Sequence, residues 1–274
     1  MTDHPHTDSA GTTATPLYRR PDRRVALVTG AGAGAGAAIA RAYAALGARV
    51  VVSDIDYTLA GAVAGEIRAG GGQALAHRCD VASEEQVAGL IERAQREFGA
   101  LSFVVNCAGP CLGGDPLDHW TRIVAANLQG TMLMTRHAID AMRDRGGSIV
   151  NIAADAGLGF GPGEQPAYGA AKAGVMRFTA TLGFLADAGI RVNCIVPDYI
   201  ATEYRLASLQ GLGPAERAAR GIPASILTPV QFAAAVLELS QRDQYAGRVV
   251  LCRSGRPLEL VEYGDPGFRQ LEPF

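Results

Sequence analysis

The chain has 274 residues, 48% of them hydrophobic and 19% charged, with a formal net charge of −2. That is ample material for one large core, and a near-neutral balance gives no electrostatic footing for a nucleic-acid or anionic-membrane partner. No apolar run reaches the length of a membrane span, and the arginine pairs at 19–20 and 23–24 precede only the short run Val25 to Val28, too little for a twin-arginine export signal.

Cys79, Cys107, Cys111, Cys194 and Cys252 are odd in number and include no CxxC spacing. They read as reduced thiols of a cytoplasmic protein rather than a disulfide framework. His4, His6, His77, His119 and His137 show no ligand spacing, so no metal site is expected. The 24 arginines stand beside a single lysine, Lys172. A chain that uses arginine wherever it needs a generic positive charge marks that one compact ammonium as a position to examine.

Residues 1–22 lack periodicity and read as a disordered leader. From there strands and helices alternate. Arg24–Thr29 is a short β-branched run, followed by a glycine loop and an alanine-rich helix over Gly34–Leu46. Arg49–Ser53 is a second strand, Leu59–Arg68 a helix, Ala74–Cys79 a strand, Glu84–Phe98 a helix and Leu101–Asn106 a fourth strand. A long helix is predicted over Pro116–Arg143, then a strand over Ser148–Ile152, a helix over Ala167–Leu185 and a strand over Ile190–Val196. Val230–Leu239 reads as helix and Arg248–Cys252 as strand. Continuous apolar strands alternating with helices predict a parallel sheet covered on both faces. Ligands in such sheets bind beyond the carboxyl ends of the strands.

After the first strand the chain reads Thr29-Gly-Ala-Gly-Ala-Gly-Ala-Gly36 and enters a helix directly. Glycines let the backbone approach a pyrophosphate, and the helix N-terminus supplies free N–H groups. The GxGxxG spacing fits loosely, its third glycine falling on Ala35, whereas TGxxxGxG fits through Thr29, Gly30, Gly34 and Gly36. Asp54 closes the second strand, where a carboxylate accepts hydrogen bonds from the adenosine ribose and repels a 2′-phosphate. With Ala33 rather than arginine inside the glycine loop, NAD(H) is favoured over NADP(H); Asp56 is a nearby alternative for Asp54.

Tyr168-Gly-Ala-Ala-Lys172 lies at the start of a helix, and its i, i+4 spacing puts both side chains on one face. A phenol of ordinary pKa ~10 is a poor acid/base at neutral pH, and a neighbouring ammonium favours the phenolate. Such a pair can move a proton at a substrate oxygen, a contribution typically worth about 10²–10⁴ in rate.

Taken together, the glycine pattern, Asp80-Val81 after the third strand, Asn106-Cys-Ala-Gly109 after the fourth, Asn127 in the long helix and the Tyr168/Lys172 pair resemble the short-chain dehydrogenase/reductase family over about residues 22 to 252. The resemblance implies an α/β fold, a Rossmann-type doubly wound parallel sheet, in a single domain over 23–253 with a tail over 254–274. It implies an NAD(H)-dependent oxidoreductase moving a hydride between nicotinamide and the carbonyl or alcohol of a small molecule. Asp80 and Val81 then contact the adenine region, and Asn106, Ala108 and Gly109 line the cofactor cleft. Asn127 holds a water that links Lys172 to solvent, Tyr168 is the acid/base, and Lys172 binds the nicotinamide ribose and tunes the tyrosine. Pro197, Ile200 and Thr202 border the nicotinamide end, although Asp198 stands where Pro-Gly is usual.

The larger departure is the family's catalytic serine. In Asn151-Ile-Ala-Ala154-Asp155, counting from the strand puts Ala154 in its place, while counting 13 residues back from Tyr168 gives Asp155; the strand-side count is preferred. Neither carries a hydroxyl. Removing one such donor from an oxyanion hole costs roughly 2.7–4 kcal/mol. Three readings stay open. Asp155, Tyr199 or a substrate group supplies another donor; the alanine is an engineered Ser→Ala trap; or the scaffold is repurposed as a non-redox enzyme (dehydratase, isomerase or cyclase) or a binding protein that has lost turnover.

The loops Pro110–Pro116, Leu158–Pro166 and Tyr199–Pro223 are expected to form the substrate pocket. Leu112, Leu158, Phe160, Tyr199, Tyr204 and Leu206 point to a small, mainly apolar molecule. The breaks at Gln210–Pro214 and Gly221–Pro223 mark a segment able to move over the site. Arg253–Phe274, with three prolines, reads as a tail without a clear helix. The family analogy implies a homo-oligomer, dimer or tetramer, with the apolar helix after Tyr168 as a candidate interface.

Overall fold

The computed structural model describes residues 24–110, 118–158, 165–219 and 221–262. The leader, Leu112, Phe160 and most of the first two expected pocket loops lie outside them. Among the described residues eight strands form one sheet: β1 (Val25–Thr29), β2 (Arg49–Asp54), β3 (Gln73–Arg78), β4 (Phe103–Asn106), β5 (Gly147–Ile152), β6 (Ile190–Pro197), β7 (Val249–Cys252) and β8 (Glu259–Leu260). Their order is β3-β2-β1-β4-β5-β6-β7-β8. All neighbours pair in parallel except β7 and β8, so the described part of the tail closes one edge antiparallel.

The helices are α1 (Gly34–Ala45), α2 (Tyr57–Ala69), α3 (Glu84–Phe98), α4 (Trp120–Val124), α5 (Gly130–Met142), α6 (Pro166–Ala180), α7 (Glu203–Ser208), α8 (Pro214–Ala219) and α9 (Pro229–Ser240). The uninterrupted apolar strands serve two cores because successive side chains leave the sheet on opposite faces. On one face Ala26, Val28, Val50 and Val52 pack with Ile39 and Tyr43 of α1, Val63 of α2 and Phe232 of α9. On the other, Val25, Leu27 and Val51 pack with Leu90 of α3 and Met134 and Met142 of α5. Val175 and Met176 of α6 meet Cys194 and Val196 in a third cluster.

The helix starts are locally encoded. The Asp56 side chain accepts from Thr58 and Leu59 N–H, Ser83 from Gln86 N–H, and Thr228 forms a reciprocal capping box with Gln231 behind Pro229.

Two expected helices are interrupted. The long one breaks into α4, a π-helical turn over Ala125–Gln129, and α5. The cause is local: Asn127 Nδ2 donates to Ile123 O at 3.0 Å, so a side chain enters the backbone ladder and one residue is looped out. The helix expected over Ala167–Leu185 ends at Ala180 and gives way to a 3-10 turn over Gly183–Ala188. There the chain must pass Gly247, where a Cβ would lie 2.8 Å from Gly183 Cα, so packing rather than periodicity sets the end. The mobile segment expected over Tyr199–Pro223 carries α7 and α8, separated by a turn with Gly211 at φ +83°.

Candidate active site

The glycine loop and the turn after β4 are joined by Thr29. Its buried Oγ1 accepts from Cys107 N at 3.1 Å and Ala108 N at 3.2 Å. Gly30, at φ +63°, passes so close to this turn that a Cβ would sit 2.8 Å from Ala108 Cα. A Cβ at Gly36 would lie 2.1 Å from Gly30 O, so the first turn of α1 folds directly onto the loop. Gly34, at φ +55°, leaves room for Thr202 Cγ2, 3.0 Å from where its Cβ would be. The N-terminus of α1 starts from Ala33 with no side-chain cap and no acid in its first turn. Its N–H groups therefore face the glycine cradle unneutralised, as an anionic pyrophosphate requires.

Asp54 is fixed beside this cradle. Its Oδ2 accepts from Gly32 N at 2.9 Å and its Oδ1 from Asp56 N at 3.1 Å. The alternative carboxylate, Asp56, is engaged as the cap of α2. Asp80 Oδ1 accepts from Ala82 N, and buried Val81 packs on Gly130, where a Cβ would lie 2.6 Å from Val81 Cγ2. These two residues form the turn between β3 and α3 at the carboxyl edge of the sheet. Asn106 is buried, and its amide turns into a network beneath the cleft rather than outward. Cys107, beside it, keeps its proton because burial pushes its thiol up to about 11.

The proton-handling candidates come together at Gly109. A Cβ there would be 2.2 Å from Asn127 Oδ1 and 3.4 Å from Lys172 Nζ. Lys172 is 4% exposed, donates to Ile152 O at 3.0 Å, and holds its ammonium 5.4 Å from the Tyr168 ring centroid. Asn127 is fully buried in the π-helical turn and spends its Nδ2 on Pro110 O and Ile123 O. Its Oδ1 has no hydrogen-bond partner among the described residues.

Ala154 is buried in extended backbone at the start of the 3-10 turn Asp155–Gly157. That turn lies directly on α6. A Cβ at Gly157 would be 2.5 Å from Ala173 N, and one at Gly169 would be 2.9 Å from Ala156 O. Asp155 is exposed as a whole residue, yet its carboxyl is raised above the ordinary value, mainly by partial desolvation and further by the charge of Asp198. Asp198 in turn accepts from Ser254 N at 3.2 Å, tying the strand β6 end to the segment after β7, while its buried Oδ1 has no partner among the described residues. The ring of Tyr199 lies 5.0 Å from the Arg205 guanidinium. Pro197 is the buried end of β6, Ile200 bridges Leu227, and Thr202 caps α7 by accepting from Arg205 N.

The structure thus brings Thr29, the three motif glycines, Asp54, Ala108, Gly109, Asn127, Tyr168, Lys172 and Thr202 to one edge of the sheet. Gly32, Gly157 and Gly169 were passed over in the sequence. Gly157 and Gly169 are close backbone approaches, while Gly32 makes room for the side chains of Leu59 and Asp54; a bare glycine is the only signal the sequence carries for either. Leu158, Tyr204 and Leu206 are exposed. Among the described residues no group of three or more His, Cys, Asp or Glu is placed to hold a metal ion, and no helix is long and apolar enough to cross a membrane.

Residues 24–211 match the family model for short chain dehydrogenases. A 3-oxoacyl-[acyl-carrier-protein] reductase of Synechocystis sp. is 41% identical over 187 residues, 66% of this chain and 75% of the relative. A cis-4-hydroxycyclohexanecarboxylate dehydrogenase of Sinomonas cyclohexanicum is 38% identical over 224 residues, 79% and 89%. The crystal structure of gox2181 superposes with a TM-score of 0.79 at 28% identity, covering 87% of this chain and 98% of its own. The chain belongs to the short-chain dehydrogenase/reductase family of oxidoreductases.

Proposed function

We propose that this enzyme moves a hydride between NAD(H) and a carbonyl or alcohol carbon of a small, mainly apolar molecule, with Tyr168 as acid/base. The observation that carries the reading is the buried Lys172 ammonium 5.4 Å from the Tyr168 ring, at the strand edge that also holds the glycine loop. The family works with nicotinamide dinucleotides, and the residues here fit one: glycines where a Cβ would collide, an uncapped helix start and a fixed carboxylate. When bound, the nicotinamide supplies or accepts the hydride.

The chain's own residues do the rest. Thr29, Gly30, Gly34 and Gly36 cradle the pyrophosphate, and Asp54 takes the adenosine ribose hydroxyls. With both carboxylate oxygens already held by backbone N–H groups, Asp54 cannot swing away from a 2′-phosphate, which supports NAD(H) over NADP(H). Asp80 and Val81 flank the adenine side. Ala108, Gly109, Pro197, Ile200 and Thr202 border the cleft toward the nicotinamide. Lys172 holds the ribose and favours the phenolate of Tyr168, which takes or gives the proton at the substrate oxygen. Asn127 Oδ1, beside Gly109 and without a partner among the described residues, is suited to a proton path from Lys172. The relatives named above are named for carbonyl or alcohol chemistry, which supports the same reaction class. We further place the protein in the cytoplasm as a homo-oligomer.

One observation favours a second reading. Ala154 offers no hydroxyl to a developing oxyanion, so a non-redox reaction using Tyr168, or ligand binding without turnover, fits the same cleft. Comparing the protein with Ala154→Ser on a panel of ketones and alcohols separates the two. Redox chemistry predicts that NADH consumption rises about 10²–10³-fold in the serine variant if the hydroxyl is the missing donor. Conversion of the native substrate without hydride exchange in either form, checked by isotope labelling, would overturn the redox assignment.

A further inference from the structure

We propose that the buried Asn106–Asn151 pair is a positioning rung that sets the rotation of α5 and α6 together, so that Asn127, Lys172 and Tyr168 meet at one point of the cleft. The proposal rests on the reading that Tyr168 and Lys172 handle the proton.

Asn106 and Asn151 are Cα partners on the adjacent strands β4 and β5. Asn106 Nδ2 donates one hydrogen to Asn151 Oδ1 at 2.7 Å and the other to Thr135 Oγ1 of α5 at 3.0 Å. The Thr135 hydroxyl closes the triangle by donating to Asn151 Oδ1 at 3.2 Å. Asn151 Nδ2 then donates to Thr179 Oγ1 of α6 at 3.0 Å, and the Thr179 hydroxyl donates to Val175 O at 2.8 Å. All four side chains are buried, and among the described residues Asn106 Oδ1 is the one polar side-chain atom of the four left without a partner. Two strands and two helices are therefore joined by one connected set of hydrogen bonds in a low-dielectric interior, where an unmade bond is costly.

The placement of the two threonines gives the rung its consequence. Thr179 lies seven residues after Lys172, two helical turns along the same face of α6. Asn151 holds Thr179 while its chain neighbour Ile152 holds Lys172 Nζ. Strand β5 thus grips α6 at two points of one face, and the helix cannot turn about its axis without breaking one of them. On α5, Thr135 stands two steps of four beyond Asn127, with Thr131 between them donating to Asn127 O at 2.9 Å. The same rung therefore ends on α5, which continues directly from the π-helical turn that holds Asn127 against Gly109. Ordinary stabilisation of the sheet needs only the Asn106–Asn151 bond. The two threonine contacts point toward the helices: α6 carries Tyr168 and Lys172, and α5 continues from the π-helical turn that carries Asn127.

The test is Thr179→Val, which removes the hydroxyl and keeps the shape, with Thr179→Ser, which keeps the hydroxyl. The readout is the ionisation of Tyr168, taken as the difference in tyrosinate absorbance between each variant and the same variant carrying Tyr168→Phe. We expect Thr179→Val to raise the Tyr168 midpoint by about half a unit to one unit, because Lys172 no longer faces the phenol squarely, and Thr179→Ser to follow the parent. The pH profile of kcat should move the same way, with dinucleotide affinity held within about twofold, because the glycine cradle is untouched. A folded valine variant that titrates like the parent overturns the proposal, as does a serine variant shifted as far as the valine. Should the valine variant not fold, Thr135→Val carries the same expectation from α5 and the same refutation. The titration needs no turnover, so it decides the rung even if no hydride transfer is found.

Discussion

Asp54 and Asp155 are two carboxylates at one strand edge with opposite consequences. Asp54 accepts two backbone N–H groups and stands where the adenosine ribose is expected. Asp54→Asn keeps the shape and removes the charge that opposes a 2′-phosphate. The ratio of NADH to NADPH affinity should fall at least about tenfold, measured by fluorescence titration with each dinucleotide. Asp155 has its carboxyl raised, chiefly by burial and next by the charge of Asp198. A raised carboxyl favours its protonated form in the fold, so its contribution to stability is present below the ordinary carboxylate range and is lost as pH climbs through the raised value. Asp155→Asn should therefore melt slightly above the parent at pH 7, solvent screening keeping the gap small, and the difference should close below about pH 4. Melting curves across that range check it, and a gap independent of pH would contradict the assignment.

At the level of elements, the contact between the 3-10 turn after β5 and helix α6 holds the site together. Gly157 and Gly169 let backbone lie on backbone where a Cβ would intrude to 2.5 and 2.9 Å. Gly157→Ala must push the turn off Lys172 and Ala173, or push α6 off the sheet. We expect kcat to fall about 100-fold with a smaller loss of dinucleotide affinity, because the cradle at Gly30–Gly36 does not share this contact. Steady-state kinetics together with a binding titration separate the two effects. The element boundaries show how legible the sequence was. Strands β1 to β7 and α3 read cleanly, through apolar runs and caps such as Ser83, whereas the two-residue strand β8 lies in the stretch read as a tail. The break at Asn127 did not, because one amide bonding to Ile123 O outweighs a helical pattern that is periodic on either side of it. Nor did the end of α6, which depends on Gly247 some sixty residues further along the chain.

Over the whole molecule, the sheet is sealed on both faces, and its stability rests on large side chains with no exposure. Phe232 of α9 is fully buried in the cluster that also holds Ile39, Tyr43 and Val28. Phe232→Ala should cost about 3–5 kcal/mol in denaturant unfolding while leaving the cleft's residues in place. The thiols Cys79, Cys194 and Cys252 are buried in the same interior, and burial pushes them up to about 11, 12 and 11 respectively. They should stay unreactive toward alkylating reagents at neutral pH until the chain unfolds.

Spacing along the chain was enough to determine the fold class, the glycine loop, the carboxylate at the end of β2 and the Tyr168/Lys172 face, because each depends on a local period or on a short interval between residues. Tertiary structure decided what faces what. It set Asn127 Oδ1 against Gly109, sent the amide of Asn106 away from the cleft, and bound Asp198 to the segment after β7. Those outcomes depend on contacts between residues tens of positions apart. Side-chain hydrogen bonds and steric exclusion choose among them, and neither leaves a periodic trace in the sequence.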